Sequence, residues 1–357
     1  MHQNFLRGYN EARALAVARV TPTFERGDVA KATGLTPQAV SKVLARLLDD
    51  GVIVSAGSRR PATGRAAAVY ELVPDSRHAI GAHVSRRTLR LALTDLAGTV
   101  LATTVTPLPA DFTPGQLIDT LTDQVKILRS GYDRVTGVGI GMIGPLDQAA
   151  GTVRDAHRLR HWHDVPLAAL AHRALGLPVH LDKDVTAGVT AEAWRRGPGF
   201  RDAALVMVDS GVGAGLWLTG SAHRGAHTNA GEFGHTVIQL DGPPCPCGRH
   251  GCLEAMHDQA ISAGDVDLAA RILGAGVVNL LQTLDLGHVV LAGTDLLRHG
   301  RVYLDAVTRA VRTQVPRADW LTVDVSLSAL GDDAIAAGAA MQILDARYGI
   351  PVPVEMV

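Results

Sequence analysis

Gly231 to Glu254, GEFGHTVIQLDGPPCPCGRHGCLE, constrains this chain more than any other stretch. All three cysteines, Cys245, Cys247 and Cys252, fall within eight consecutive positions of it, and His235 lies ten residues before the first. Three thiolates and an imidazole are four soft or borderline donors able to close a tetrahedral zinc site, and the intervening glycines and prolines let the backbone wrap a small ion. The spacing predicts a structural Zn²⁺ held by His235, Cys245, Cys247 and Cys252. A disulfide with one spare thiol, or three buried cysteines, are the alternatives left open.

At 357 residues the chain is long enough for two or three domains with cores of their own. Charged residues make up 19% and aromatics 4%, which suits an α/β protein rather than a disordered or disulfide-stapled one. No apolar run reaches the ~20 residues of a membrane helix, and the opening MHQNFLRGYNEAR lacks a signal-peptide core. The expectation is a cytoplasmic protein with no membrane partner, in whose reducing surroundings thiols favour metal over disulfide. Residues 1–73 hold 10 Lys and Arg against 6 Asp and Glu, a formal +4, which leaves −5 for the rest of a chain whose net charge is −1. A basic head on an acidic body is the asymmetry expected when one module meets phosphates, although it is also compatible with an ordinary solvated surface.

The head reads as three helices and two strands. Apolar residues over roughly 4–19 make an amphipathic helix, which Thr21 and Pro22 stop. In FERGDVAKATGLTPQAVSKVLARLLDDGVIV a helix spans Arg26–Thr33, Gly34 turns the chain, Thr36 caps a second helix with Pro37 in its first turn, and Gly51 ends it. Val29, Leu35, Val40, Val43, Leu44 and Leu47 pack the two helices together. This is a helix-turn-helix pattern, with Thr36, Gln38, Ala39, Ser41 and Lys42 on the exposed start of the second helix, where they can meet base edges and phosphates. An ordinary helical hairpin is the plainer alternative. Two strands, Val52–Val54 and Val69–Leu72, flank a loop carrying Arg59, Arg60 and Arg65, which reads as the wing of a winged helix able to touch DNA. Such arginines can also serve only solubility.

After a linker at 74–79, the body runs from residue 80 to 357. Strands with turns at Ser85–Arg87 and Ala97–Gly98 precede a helix over 113–130, the strand VTGVGIGMIG and a Gly144-Pro145 loop. A comparable order recurs from Ala203, ending in a helix over 265–285 and the strand HVVLAG. Periodicity alone supports an α/β body, in part duplicated.

GEFGH followed by CPCGRHGCLE resembles the signature of the ROK family of sugar kinases and sugar-responsive repressors. The GLTPQAVSKVLARLLDDGVI run, the Leu6-Arg7…Asn10 opening and Gly64-Arg65 are similar to the DNA-binding head of its repressors, which the kinases lack. The resemblance covers essentially the whole chain. It implies an N-terminal winged helix-turn-helix followed by an actin-like ATPase body of two α/β lobes, with the zinc loop at 231–254.

In ROK kinases the first body hairpin carries Asp-x-Gly-x-Thr-Lys against the ATP phosphates; here the aligned residues are His83-Val84-Ser85-Arg86-Arg87-Thr88. In the second phosphate loop, Asp209-Ser210-Gly211-Val212-Gly213-Ala214-Gly215, Asp209 replaces a glycine, and an anion there would repel phosphate by on the order of 1 kcal/mol. ATP binding is therefore expected to be lost and the chain not to be an enzyme. The family's sugar-binding positions correspond to Lys183, Asp184, Glu232, His235 and Glu254, with Lys183 where the family has asparagine. Lysine only donates, whereas an amide donates and accepts. Lys183 either pairs with Asp184 or Asp182 and closes the site, or recruits an anionic ligand such as a phosphosugar. His157, His161 and His163 read as solvated loop histidines, with Trp162 between them where the family has a surface-loop tryptophan.

The resemblance thus implies a repressor that binds a double-stranded operator as a homodimer or homotetramer, holds structural Zn²⁺, and answers to a sugar or phosphosugar in the cleft between the lobes. A sugar kinase with an appended head, and a regulator with a vestigial sugar site controlled by a protein partner, are the competing readings.

Overall fold

A computed structural model describes residues 2–59, 66–156, 159–316 and 321–348. The head comprises α1 (His2–Val20), β1 (Phe24–Glu25), α2 (Arg26–Thr33), α3 (Pro37–Asp49), β2 (Ile53–Arg59) and β3 (Ala67–Leu72). Its three strands form an antiparallel sheet in the order β1-β3-β2. Gly34 ends α2 in the left-handed region, at φ 69, which a residue with a Cβ resists. The Thr36 hydroxyl accepts from the Ala39 amide at 3.3 Å and so caps α3. Val29, Val40, Val43, Leu44 and Leu47 are buried together with Leu15 of α1 and Phe24.

A 3-10 turn at Pro74–Ser76 leads into the body. The expected linker is shorter than 74–79, because the first body strand starts at His78, and both His78 and Ala79 are buried in it. The first lobe contains β4 (His78–Val84), β5 (Thr88–Asp95), β6 (Val100–Pro107), α4 (Pro114–Arg129), β7 (Val135–Met142), β8 (Leu146–Asp147), β9 (Thr152–Asp155), β10 (His163–Val165), α5 (Leu167–Leu175), β11 (Val179–Lys183) and α6 (Asp184–Arg196). Five of its strands form a sheet in the order β11-β7-β4-β5-β6, and β8 to β10 form a small second sheet. The second lobe adds β12 (Ala203–Val208), β13 (Val212–Leu218), β14 (Ser221–His223), α7 (Leu253–Ser262), α8 (Val266–Leu284), β15 (His288–Ala292), α9 (Thr294–Leu297), α10 (Gly300–Gln314), β16 (Asp324–Leu327) and α11 (Ala334–Tyr348). Its sheet order is β14-β13-β12-β15-β16, again with parallel pairing of a later strand onto the first. The two sheets therefore repeat one plan, as the sequence order implied.

α6 and α11 lie between the sheets, and every residue of α6 from Asp184 to Trp194 is buried. The approach is backbone to backbone. A Cβ on Gly139 of β7 would stand 1.9 Å from the Ala339 carbonyl oxygen of α11, and one on Gly338 would stand 1.8 Å from the Ala187 oxygen of α6. Gly139→Ala is expected to cost about 3 kcal/mol, since overpacking against main chain cannot be relieved by a rotamer change. The midpoint of urea unfolding at unchanged slope checks this.

Trp162 departs from the surface loop expected for it. It is fully buried, its Nε1 donates to the Phe112 carbonyl at 2.9 Å, and its ring meets Phe112 edge-on. His161 and His163 are exposed, and His157 lies outside the described residues.

The head is seated on the body. Leu15 and Ala18 of α1 share one apolar cluster with Trp194, Met341 and Leu344, the Arg19 guanidinium lies 3.6 Å from the centre of the Trp194 ring, and Arg77 donates to the Asp50 carbonyl at 3.3 Å and the Tyr348 hydroxyl at 3.0 Å. Among the described residues no helix is long and apolar enough to cross a membrane.

Candidate functional site

The cysteine-rich loop brings together all four residues expected to hold zinc. His235 ends a 3-10 turn at Phe233–His235, Cys252 immediately precedes α7, and Cys245 and Cys247 sit in the tight turn between them. Gly248 supplies φ 86 in that turn, and a Cβ on Gly251 would overlap the Gln239 carbonyl oxygen at 1.5 Å, so glycine is required for the wrap. One donor atom from each of the four residues lies within 4.8 Å of the others. A tetrahedron with Zn–S of about 2.3 Å and Zn–N of about 2.0–2.1 Å has edges of about 3.8 Å between sulfurs and 3.6 Å between sulfur and nitrogen. Cys247 Sγ and Cys252 Sγ are 3.7 Å apart, and Cys245 Sγ is 3.5 Å from His235 Nδ1. The three sulfurs are not oxidised to a disulfide.

The thiols titrate as a crowded set. Burial and neighbouring sulfurs push Cys252 up to about 12, and burial raises Cys245 as well. In Cys247 burial is outweighed by the amide and side chain of Arg249, which bring it down to about 7. Three thiolates at this spacing repel one another unless a cation sits between them, and a divalent soft cation resolves the conflict. The residues therefore fit Zn²⁺ both in geometry and in donor chemistry.

His235 joins the loop to a cleft of about 170 Å³ between the lobes. With Nδ1 toward the cysteines, its Nε2 lies 3.9 Å from a Glu232 oxygen. Lys183, Asp184, Glu232, His235 and Glu254 all line this cleft. Lys183 is the N-cap of α6 at the end of β11, and its ammonium pairs across the cleft with Glu232 and donates to the Ala230 carbonyl at 3.3 Å. The expected pairing with Asp184 or Asp182 is thus replaced by a longer-range one. Asp182 faces elsewhere: its carboxylate accepts from Arg224 at 2.7 Å and from Gln342 at 2.9 Å. Burial raises the Asp182 carboxyl, yet His180 and Arg224 hold it below the usual range. Two adjacent residues of β11 therefore bind the segment 224–232 of the other lobe with opposite polarity.

Asp184 is buried and pushed upward, chiefly by loss of water, with His83, the Val185 amide and Lys183 partly opposing this. Its Oδ1 accepts from Val185 N at 2.7 Å. His83 is held below its ordinary value by burial, despite the nearby Asp184 and Asp209. Glu254 Oε2 accepts from the Val212 amide at 2.9 Å and so occupies a donor of the second glycine loop. The glycines of that loop serve packing: a Cβ on Gly215 would stand 1.9 Å from the Val185 carbonyl oxygen. Arg86, which sequence reasoning treated only as part of a lost loop, also lines the cleft. Its place two residues after β4 in the first hairpin was the signal that could have found it.

On the head, Thr36, Gln38 and Lys42 are exposed along the start of α3, whereas Ala39 and Ser41 are half-buried. The Ser41 hydroxyl donates to the Pro37 carbonyl at 2.9 Å, which leaves it only acceptor capacity. Arg59, at the end of β2, is largely exposed and lies 3.4 Å from Glu25. Arg60 and Arg65 lie outside the described residues.

A model of the ROK family matches residues 79–264. The xylose repressor of Caldicellulosiruptor bescii is 24% identical over 396 aligned residues, covering 98% of this chain and 99% of that protein. A glucokinase of Streptomyces coelicolor is 26% identical over 308, covering 73% of this chain and 96% of that enzyme. Among solved structures, a ROK family transcriptional regulator that is a homologue of the Escherichia coli Mlc protein superposes with a TM-score of 0.76 at 22% identity, over 97% of this chain and 98% of that one.

Proposed function

The chain belongs to the ROK family, and from that premise we propose that it is a transcriptional repressor whose body senses a sugar-type effector. The observation that carries the reading is the head. The similarity to a xylose repressor runs through it, whereas the similarity to a glucokinase covers only about the share of the chain that the body occupies. In this reading residues 1–73 are a winged helix-turn-helix. α3 enters the major groove with Thr36, Gln38, Ala39, Ser41 and Lys42 toward the DNA, and the β2–β3 hairpin with Arg59, Arg60 and Arg65 forms the wing. A homodimer or homotetramer would present two such heads to an inverted repeat.

Kinase chemistry has lost its supports. His83 and Asp209 stand where phosphates would need small residues and amides, and the Val212 amide is occupied by Glu254. Asp184 alone favours the kinase alternative, because its family counterpart accepts the proton of the sugar hydroxyl. Without a phosphate donor it acts as a binding carboxylate. Phosphate transfer from ATP to any of a panel of hexoses well above background would overturn the assignment.

The metal, held by His235, Cys245, Cys247 and Cys252, would fix the loop that carries Glu232 and Glu254 and supply no reactive position, since four protein ligands close its coordination. Effector binding between Asp184, Glu232, His235 and Glu254 would change the relation of the lobes and, through them, of the heads.

Lys42→Ala tests the DNA-binding face. Operator affinity is expected to fall at every sequence alike, with the slope of log affinity against log salt reduced by about 1, the signature of one phosphate contact. An unchanged slope would remove Lys42 from the interface.

A further inference from the structure

Where the head meets the body, the end of α1, the Ala97–Val100 turn, the last residues of α6 and Leu330 leave a crevice of about 490 Å³, within the size range of small-molecule sites. Its charged walls are Arg19 from the head and Arg195 from the body, and no carboxylate is among its described lining residues. Two N–H groups at this seam are buried without an acceptor, Arg19 Nη1 and Trp194 Nε1. Trp194 is 7% exposed, and a Cβ on Gly98 would stand 2.9 Å from its Nε1, so the donor edge of the indole faces the crevice wall. A buried donor left unpaired costs about 1–3 kcal/mol. The Arg19 and Arg195 guanidinium groups and the Trp194 indole N–H thus meet in a lining whose charged side chains are all basic, which suits oxygen atoms bearing negative charge. Asp345 acts on Arg19 through space but lines no part of the crevice.

We propose that this seam is a second ligand site, specific for a small oxyanion, either a carboxylate or a phosphate group, bound by Arg19, Arg195 and the Trp194 indole N–H. Guanidinium forks match such oxygens in pairs. The position gives the site a consequence. Arg19 belongs to the head, whereas Trp194 and Arg195 end the helix whose other end, at Lys183 and Asp184, forms the effector cleft. An anion held here ties the head to α6 directly.

The test is intrinsic tryptophan fluorescence of the full-length protein, titrated with inorganic phosphate and separately with acetate, against sodium chloride at matched ionic strength. A saturable change with one of the oxyanions and none with chloride is expected, and the tighter of the two names the group recognised. Arg195→Glu, at an exposed position that leaves the fold intact, should weaken that binding about tenfold or more. Arg19→Gln should do the same, with circular dichroism confirming that the head stays folded. Titrations indistinguishable from chloride, or equal affinity in wild type and Arg195→Glu, would overturn the site. The binding measurement uses no DNA, so its failure leaves the assignment as a repressor untouched. A loss of operator binding in wild type would bear on that assignment alone.

Discussion

Replacing Cys252 with serine is expected to release the metal and lower the stability of the body by more than about 4 kcal/mol, the range in which loss of a structural metal falls. Cys252 is fully buried at the start of α7, and its sulfur stands 3.7 Å from that of Cys247, an edge of the donor tetrahedron. Serine offers a harder, less acidic donor on a shorter bond, so the remaining three ligands hold zinc far more weakly. Without the ion, the loop loses the tie between His235 and α7. In a body of this size each kcal/mol corresponds to a shift of about 2–4 °C in the melting temperature, so a fall of about 10 °C is anticipated. Metal content by mass spectrometry together with a thermal melt checks both parts. One equivalent of metal retained by Cys252→Ser would refute the ligand set.

The second large effect concerns Lys183. Its ammonium is almost wholly buried, bridges to Glu232 and the Ala230 carbonyl of the opposite lobe, and so ties the lobes together across the cleft. Lys183→Met is expected to cost about 2 kcal/mol. The figure lies below that for a fully buried pair, because Glu232 keeps a third of its side chain in solvent and can rehydrate. Lys183→Asn should act differently. It removes the cross-lobe pair, restores a group that both donates and accepts, and frees Glu232 for hydroxyls, so affinity for a neutral hexose or pentose is expected to rise at least about tenfold, the worth of one charge-assisted hydrogen bond. Calorimetric titration of both variants separates the two consequences. No gain in Lys183→Asn would mean that the Asp182–Arg224 pair, 2.7 Å apart, keeps the lobes together by itself.

What the sequence disclosed was local chemistry. Thr36 and Pro37 announce the start of α3 because a cap acts within one turn, and Gly34 and Gly51 mark turns because only glycine takes those backbone angles at no cost. The Cys₃His cluster was legible because the chain's three cysteines lie within one loop. The remainder depends on contacts distant in sequence. Lys183 meets Glu232, 49 residues away, and nothing in LDKDV indicates a partner beyond its own aspartates. α6 is buried on every side, so it lacks the polar face that periodicity detects. Pro74-Asp75-Ser76 has the chemistry of a loose linker, yet Ser76 is buried and the strand resumes at His78. Arg86 and Trp162 were misjudged for a shared reason: a family pattern describes what its other members place there, while burial and the cleft wall are set by this chain's own packing.

Selecting duplexes from a random pool with the full-length protein, and measuring operator affinity for the enriched sequence, decides whether the chain is a DNA-binding repressor rather than a kinase. Enrichment of an inverted repeat with half-sites about one helical turn apart is expected, bound at least ~10³-fold more tightly than random duplex at physiological salt. A pool that emerges without a consensus, retained only through salt-sensitive non-specific binding, would contradict it.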